Sequence, residues 1–178
     1  MSLNNLANRL SEMGRRADAL AAAQEAVEIR RALAKLNPDA FQPALASSLN
    51  NLANHLSAMG RRADALAPAQ EAVDLYRALA KLNPDAFQPA LAMSLGTRGR
   101  ILEANERLEE ALASFAEGVR ALTGPFQELP AAHAGRMARL VQDYLRLSEV
   151  LNQEPDEALL APVVEVFTRL QNESPSPS

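Results

Sequence analysis

The side chains that most often do chemistry are scarce in this 178-residue chain. There is no cysteine, and the two histidines, His55 and His133, lie far apart. Without thiols, disulfides, thiolate metal sites and cysteine nucleophiles are excluded. His133 stands beside Ala134 and Gly135 with no carboxylate at metal-ligand spacing. No HExxH, glycine-rich phosphate loop or GxSxG occurs. The acidic pairs Glu109-Glu110 and Asp156-Glu157 read as first-turn acids that favour a helix N-terminus. The chain is therefore predicted to be non-catalytic, with no metal and no cofactor. One polar constellation does recur. Asn4, Asn5 and Asn8 reappear as Asn50, Asn51 and Asn54, each 46 positions further on.

That spacing belongs to a repeat. Residues 2–46 read SLNNLANRLSEMGRRADALAAAQEAVEIRRALAKLNPDAFQPALA, and residues 48–92 match them at 39 of 45 positions. The same offset carries Ser48-Leu49 onto Ser94-Leu95 and Ala65-Leu66 onto Ala111-Leu112. A degenerate fourth copy starts near Met137. The expected organisation is repeat one over 1–46, repeat two over 47–92, repeat three over 93–125, and a degenerate fourth repeat with a cap over 126–171. The tail 172–178 is polar and proline-rich and is expected to be disordered.

Each unit reads as two helices. Leu3, Leu6, Ala7 and Leu10 recur at i, i+3, i+4 and i+7, and Leu49, Leu52, Ala53 and Leu56 repeat them. Gly14 and Gly60 supply the positive φ that closes this first helix. A longer helix follows, with Ala19, Leu20, Ala23, Ala26 and Val27 on its buried side. Asn37-Pro38-Asp39 and Asn83-Pro84-Asp85 are expected to end it. Pro43 and Pro89 then open the next helix, which leaves Phe41 and Phe87 in connectors where they plug the gap between units. Thr123-Gly124-Pro125 reads as a further break. A helix from Pro130 to about Leu151 and a last one from an Asp156 N-cap to about Leu170 complete the chain. The first helix starts later than its second-copy equivalent, which suggests the C-terminal part of a longer protein.

The third copy departs from the pattern. Arg98 and Gly99 replace Leu6 and Ala7, and Glu106 replaces Gly14, so Asn105 is expected to carry the left-handed turn. Pro68 replaces Ala22 inside a helix and should kink it slightly. His55 replaces Arg9 and is expected to be exposed.

Leu6-Ala7, Leu10, Gly14, Ala19-Leu20, Ala23 and Ala26-Val27 resemble the signature positions of the tetratricopeptide repeat family. The long unit is similar to the extended variety of kinesin light chains and of many bacterial multidomain proteins. The resemblance implies an all-α, right-handed superhelical solenoid of antiparallel helix pairs, about eight helices in all. It also implies a concave groove lined by one flank of each first helix. At about 100° per residue from Leu3, Asn4 and Asn8 fall near 100° and 140°, off the apolar stripe. A carboxamide both donates and accepts, so such a row suits the N–H and C=O groups of an extended peptide. A similar asparagine ladder lines the repeats of the O-linked N-acetylglucosamine transferase. The expected peptide-binding groove therefore comprises Asn4, Asn5, Asn8, Asn50, Asn51, Asn54, Thr97 and Arg100. Thr97 and Arg100 enter as third-copy equivalents of Asn5 and Asn8, and Arg100 is suited to an acidic group. The family's carboxylate clamp needs lysines where this chain has Asn4 and Met93, so chaperone tails are not expected ligands.

Charge narrows the partners. Net charge is −4 with 22% charged residues, which argues against nucleic acid or an anionic membrane. No 18-residue apolar run or signal-peptide layout is visible. The expected protein is cytoplasmic and binds a protein or peptide. The rival expectation is a structural or assembly scaffold that self-associates, with a homodimer through the N-terminal edge, or that positions other domains of a larger protein.

Overall fold

A computed structural model describes residues 3–173. Eight helices occupy them, with no strand among the described residues. They are α1 (Leu3–Glu12), α2 (Arg16–Leu36), α3 (Pro38–Ala58), α4 (Arg62–Leu82), α5 (Pro84–Ala104), α6 (Leu108–Glu128), α7 (Pro130–Val150) and α8 (Glu157–Glu173). Helices α1 to α7 pack chiefly on their sequence neighbours and α8 chiefly on α6, giving a solenoid of antiparallel helix pairs. Among the described residues no helix is long and apolar enough to cross a membrane.

The asparagine-proline signal both stops and starts a helix. The Asn37 N–H donates to Leu33 O at 2.9 Å, and its side chain accepts from the Ala40 N–H at 3.3 Å. One residue thus closes α2 and caps α3, and Pro38 fits the first turn because its missing N–H has no helical partner there. Asn83 does the same between α4 and α5. Phe41, Phe87, Pro43 and Pro89 accordingly lie inside α3 and α5 rather than in connectors. Helix junctions therefore fall at Asn37, Asn83 and Leu129. Cuts after 46, 92 and 125 run through α3, α5 and α6.

Other expectations are also corrected. α6 runs unbroken through Thr123-Gly124-Pro125, because the next residue, Phe126, is fully buried and packs against Phe167 of α8 with ring centroids 4.8 Å apart. α4 runs on through Pro68, which the sequence had placed inside this helix. Gly14 and Gly60 have φ of +76° and +77° as expected, but the third copy places Glu106 at +61° while Asn105 stays at −101°. Asn105 is held back because its amide donates to Ile101 O at 2.7 Å and to Arg62 O at 3.0 Å. Asn172 and Glu173 extend α8, and the rest of the tail, 174–178, lies outside the described residues.

The core is a chain of clusters that each join successive helices along the stack. Ala7, Ala22 and Ala23 join α1 to α2, and Val27, Leu45, Leu49 and Ala72 join α2, α3 and α4. The largest cluster spans α5 to α8 around Phe115, Phe126 and Met137. α1 lies close to α3 and α3 to α5, whereas α2 and α4, and α4 and α6, stay further apart. Over α1 to α6 the stack therefore curves with the odd helices on its inner side, and at the last step it is the even helices α6 and α8 that approach.

Candidate functional site: the inner face of the odd helices

The helical repeat splits the asparagines into two populations. Asn4 and Asn50 point between helices and are buried. Asn4 Oδ1 accepts from Ser48 Oγ at 3.4 Å, and Asn50 Nδ2 donates to Ser94 Oγ at 2.5 Å. They latch α1 to α3 and α3 to α5, so the expectation that they present free amides to a ligand is corrected. A carboxamide there is engaged by the serine of the next odd helix before any ligand arrives. Thr97 is buried as well.

The remaining residues face outward. Asn5, Asn8 and Asn54 are exposed and Asn51 is half-buried. None of the four has a side-chain hydrogen-bond partner among the described residues. Arg100, the counterpart of Asn8 and Asn54, lies 3.3 Å from Asp143 on α7. The repeat sets Asn8 across from Asn51, and Asn54 across from Thr97, in the register that Arg100 takes with Asp143. Below Arg100, Arg146 holds Glu103 through two bonds of 2.7 and 2.8 Å and lies 3.8 Å from Asp143. The inner face is thus neutral along α1 and α3 and becomes an ion-pair ladder along α5 and α7.

The odd helices separate at α5/α7. A cleft of about 450 Å³ opens there between Arg100 on α5 and Arg136 and Arg139 on α7. Sequence reading missed Arg136 and Arg139, since the fourth copy has lost the repeat identity that would have aligned them with the groove. His55, expected on the surface, is 8% exposed, and its Nε2 has no partner among the described residues. Burial holds its pKa below the ordinary histidine value. No group of metal-ligating side chains forms among the described residues.

Antiparallel helix pairs stacked in series define a tetratricopeptide-like solenoid. The family model of the tetratricopeptide repeat matches residues 1–39 and 45–84, within the first two units. Such repeats generally mediate protein–protein interaction and are generally non-catalytic. The structure is similar to that of BtubC (BKLC) from P. vanneervenii, at 21% identity and a TM-score of 0.60, covering 86% of this chain and 57% of that one. The chain thus spans little more than half of BtubC. It is also similar to a kinesin-light-chain protein of nearly identical TPR-like repeats from Podosopora anserina, at 18% identity and a TM-score of 0.51, covering 97% and 96%. A point variant of that protein matches equally. These likenesses define the fold. A comparison with curated proteins returns no match.

Proposed function

We propose that the inner face of the odd helices binds an extended segment of a partner protein, without catalysis. The observation that carries this reading is the row Asn8, Asn54 and Arg100, which occupies one equivalent position on α1, α3 and α5 and is exposed in all three. Asparagine within a helix is mildly unfavourable, because its side chain competes with the backbone for hydrogen bonds. Asn4 and Asn50 offset that cost by latching helices, whereas Asn8 and Asn54 bond to nothing among the described residues. A peptide backbone would supply their missing donors and acceptors.

The test is capture of partners by the intact chain and by a variant with Asn5, Asn8, Asn51 and Asn54 changed to Ala. The reading expects a partner retained by the intact chain and by a Glu28→Ala control, which alters an exposed site on α2, but lost by the asparagine variant. A partner held equally by all three removes the inner face from the interaction. Each lost neutral hydrogen bond should weaken binding by about 0.5–1.5 kcal/mol.

The scaffold reading rests on the N-terminal edge. Leu49 and Leu56 are sealed beneath the first helix pair, but their counterparts Leu3 and Leu10 are only half-buried, and Ile29 is exposed. A homodimer through these edges would be isologous and closed. Light scattering across a concentration series decides it, since a constant mass near 19.2 kDa removes the dimer.

A further inference from the structure

The cleft between α5 and α7 has a chemistry of its own. Three arginines line it, Arg100, Arg136 and Arg139, together with Met93, Gly96 and Leu140, and no carboxylate does. This occurs in a chain whose net charge is −4. Below the cleft, Glu103 balances Arg146, and Asp143 balances Arg100. Arg136 and Arg139 have no ion pair among the described residues. They stand one turn apart on α7, where side chains are neighbours and like charges repel. Two positive charges are therefore left uncompensated at the mouth, with the partly engaged Arg100 facing them.

The third copy is built to leave this space open. At the position of Asn4 and Asn50 it has Gly96, and at the position of Ser48 and Ser94 the next helix has Leu140. A Cβ on Gly96 would lie 3.0 Å from Leu140 Cδ2 and 3.6 Å from Arg100 Nη1. The polar latch of the first two steps is thus replaced by an apolar contact, and the bare backbone gives the Arg100 guanidinium room to lie across α5.

A single carboxylate would leave one of the two free arginines unpaired. A phosphoryl group carries a charge of about −1.5 to −2 at neutral pH and three acceptor oxygens, matching two forked guanidinium groups and a third nearby. Resting on the peptide-binding reading above, we propose that the α5/α7 cleft takes a phosphorylated serine or threonine of the segment bound along the inner face.

Three short degenerate fluorescent peptide libraries, identical except for a central phosphoserine, glutamate or serine, test this by anisotropy. The phosphoserine library should bind about tenfold more tightly than the other two, as expected for added charge-assisted hydrogen bonds. In Arg136→Gln/Arg139→Gln, with an unchanged helical circular-dichroism spectrum, that preference should vanish. Equal binding of phosphoserine and serine, equal binding of glutamate, absence of phosphoserine binding, or a preference that survives the double variant would each overturn the proposal. The Asn8→Ala/Asn54→Ala variant separates the two readings. Loss of serine-library binding without any phosphoserine preference keeps the asparagine row and removes the cleft. A phosphoserine preference undiminished in that variant keeps the cleft and removes the row.

Discussion

Asn50 and Ser94 meet at 2.5 Å across the boundary of α3 and α5, as Asn4 and Ser48 do across α1 and α3 at 3.4 Å. One step further along the stack the pair becomes Gly96 and Leu140. The change at one partner is answered at the other, so these positions act as a packing unit, and the groove begins only one turn beyond them.

Substituting Asn50 separates the two asparagine populations. Ser94 Oγ keeps its bond to Ala90 O at 3.0 Å, and Asn50 Oδ1 is already buried without a partner. Asn50→Ala should therefore cost only the one lost hydrogen bond, about 1 kcal/mol. Asn54→Ala, at an exposed position, should stay within about 0.5 kcal/mol of the parent. Urea denaturation of the two variants measures both, and equal losses would mean that Asn54 has a packing role.

Two helical glycines should respond in opposite directions to alanine. A Cβ on Gly99 would lie 2.5 Å from the ring of Phe115, which is fully buried. Gly99→Ala should cost about 1–3 kcal/mol through overpacking. Gly135 has nothing within 4 Å of its Cβ position, so Gly135→Ala should stabilise α7 by about 0.5–1 kcal/mol. Thermal melts of both variants are the check.

The turn between the helices of each unit offers a matched pair. Gly60 sits at φ +77° and Glu106 at +61°. Gly60→Ala should lose about 1–2 kcal/mol, and Glu106→Gly should recover part of that strain in the third unit. If Glu106→Gly destabilises instead, the Glu106 side chain is holding the turn.

His55 gives stability a pH dependence of known sign. Its folded-state pKa is lowered by burial, so below the unfolded value near 6.5 the unfolded chain binds a proton that the folded chain refuses. The contribution of neutral His55 is therefore complete above about pH 6.5 and is lost as pH falls toward the folded-state pKa. Urea midpoints at pH 7.5 and 5.5 should differ more for the parent than for His55→Leu. Equal differences would place the titration elsewhere.

Much of this architecture was legible in the residues alone. The 46-residue offset, the stripe through Leu3, Leu6, Ala7 and Leu10, and the positive-φ glycines fixed helix pairs and their order, because helical periodicity and backbone sterics are local properties. Asn37 and Asn83 were misread only in extent. A proline after asparagine signals a boundary, but one residue can close one helix and cap the next, and propensity does not count connector length. Pro125 was misread for a different reason. The burial of Phe126 against Phe167 outweighs the single hydrogen bond that Pro125 removes, and that contact joins residues 41 positions apart.

The site was less legible, because six asparagines of one type at repeated spacing divide by what stands opposite them. Asn4 and Asn50 face serines of the next odd helix, whereas Asn8 and Asn54, one turn away, face solvent. Nothing in their own neighbourhoods distinguishes them. Arg136 and Arg139 are the converse case. They carry no repeat signal, and only the packing of α7 beside α5 brings them to Arg100. The sequence by itself determined the unit, its helices and the faces they could present. The tertiary structure decided which polar groups were consumed in stacking and which were left for a partner, since that depends on the angle and distance between units rather than on any residue's own preference.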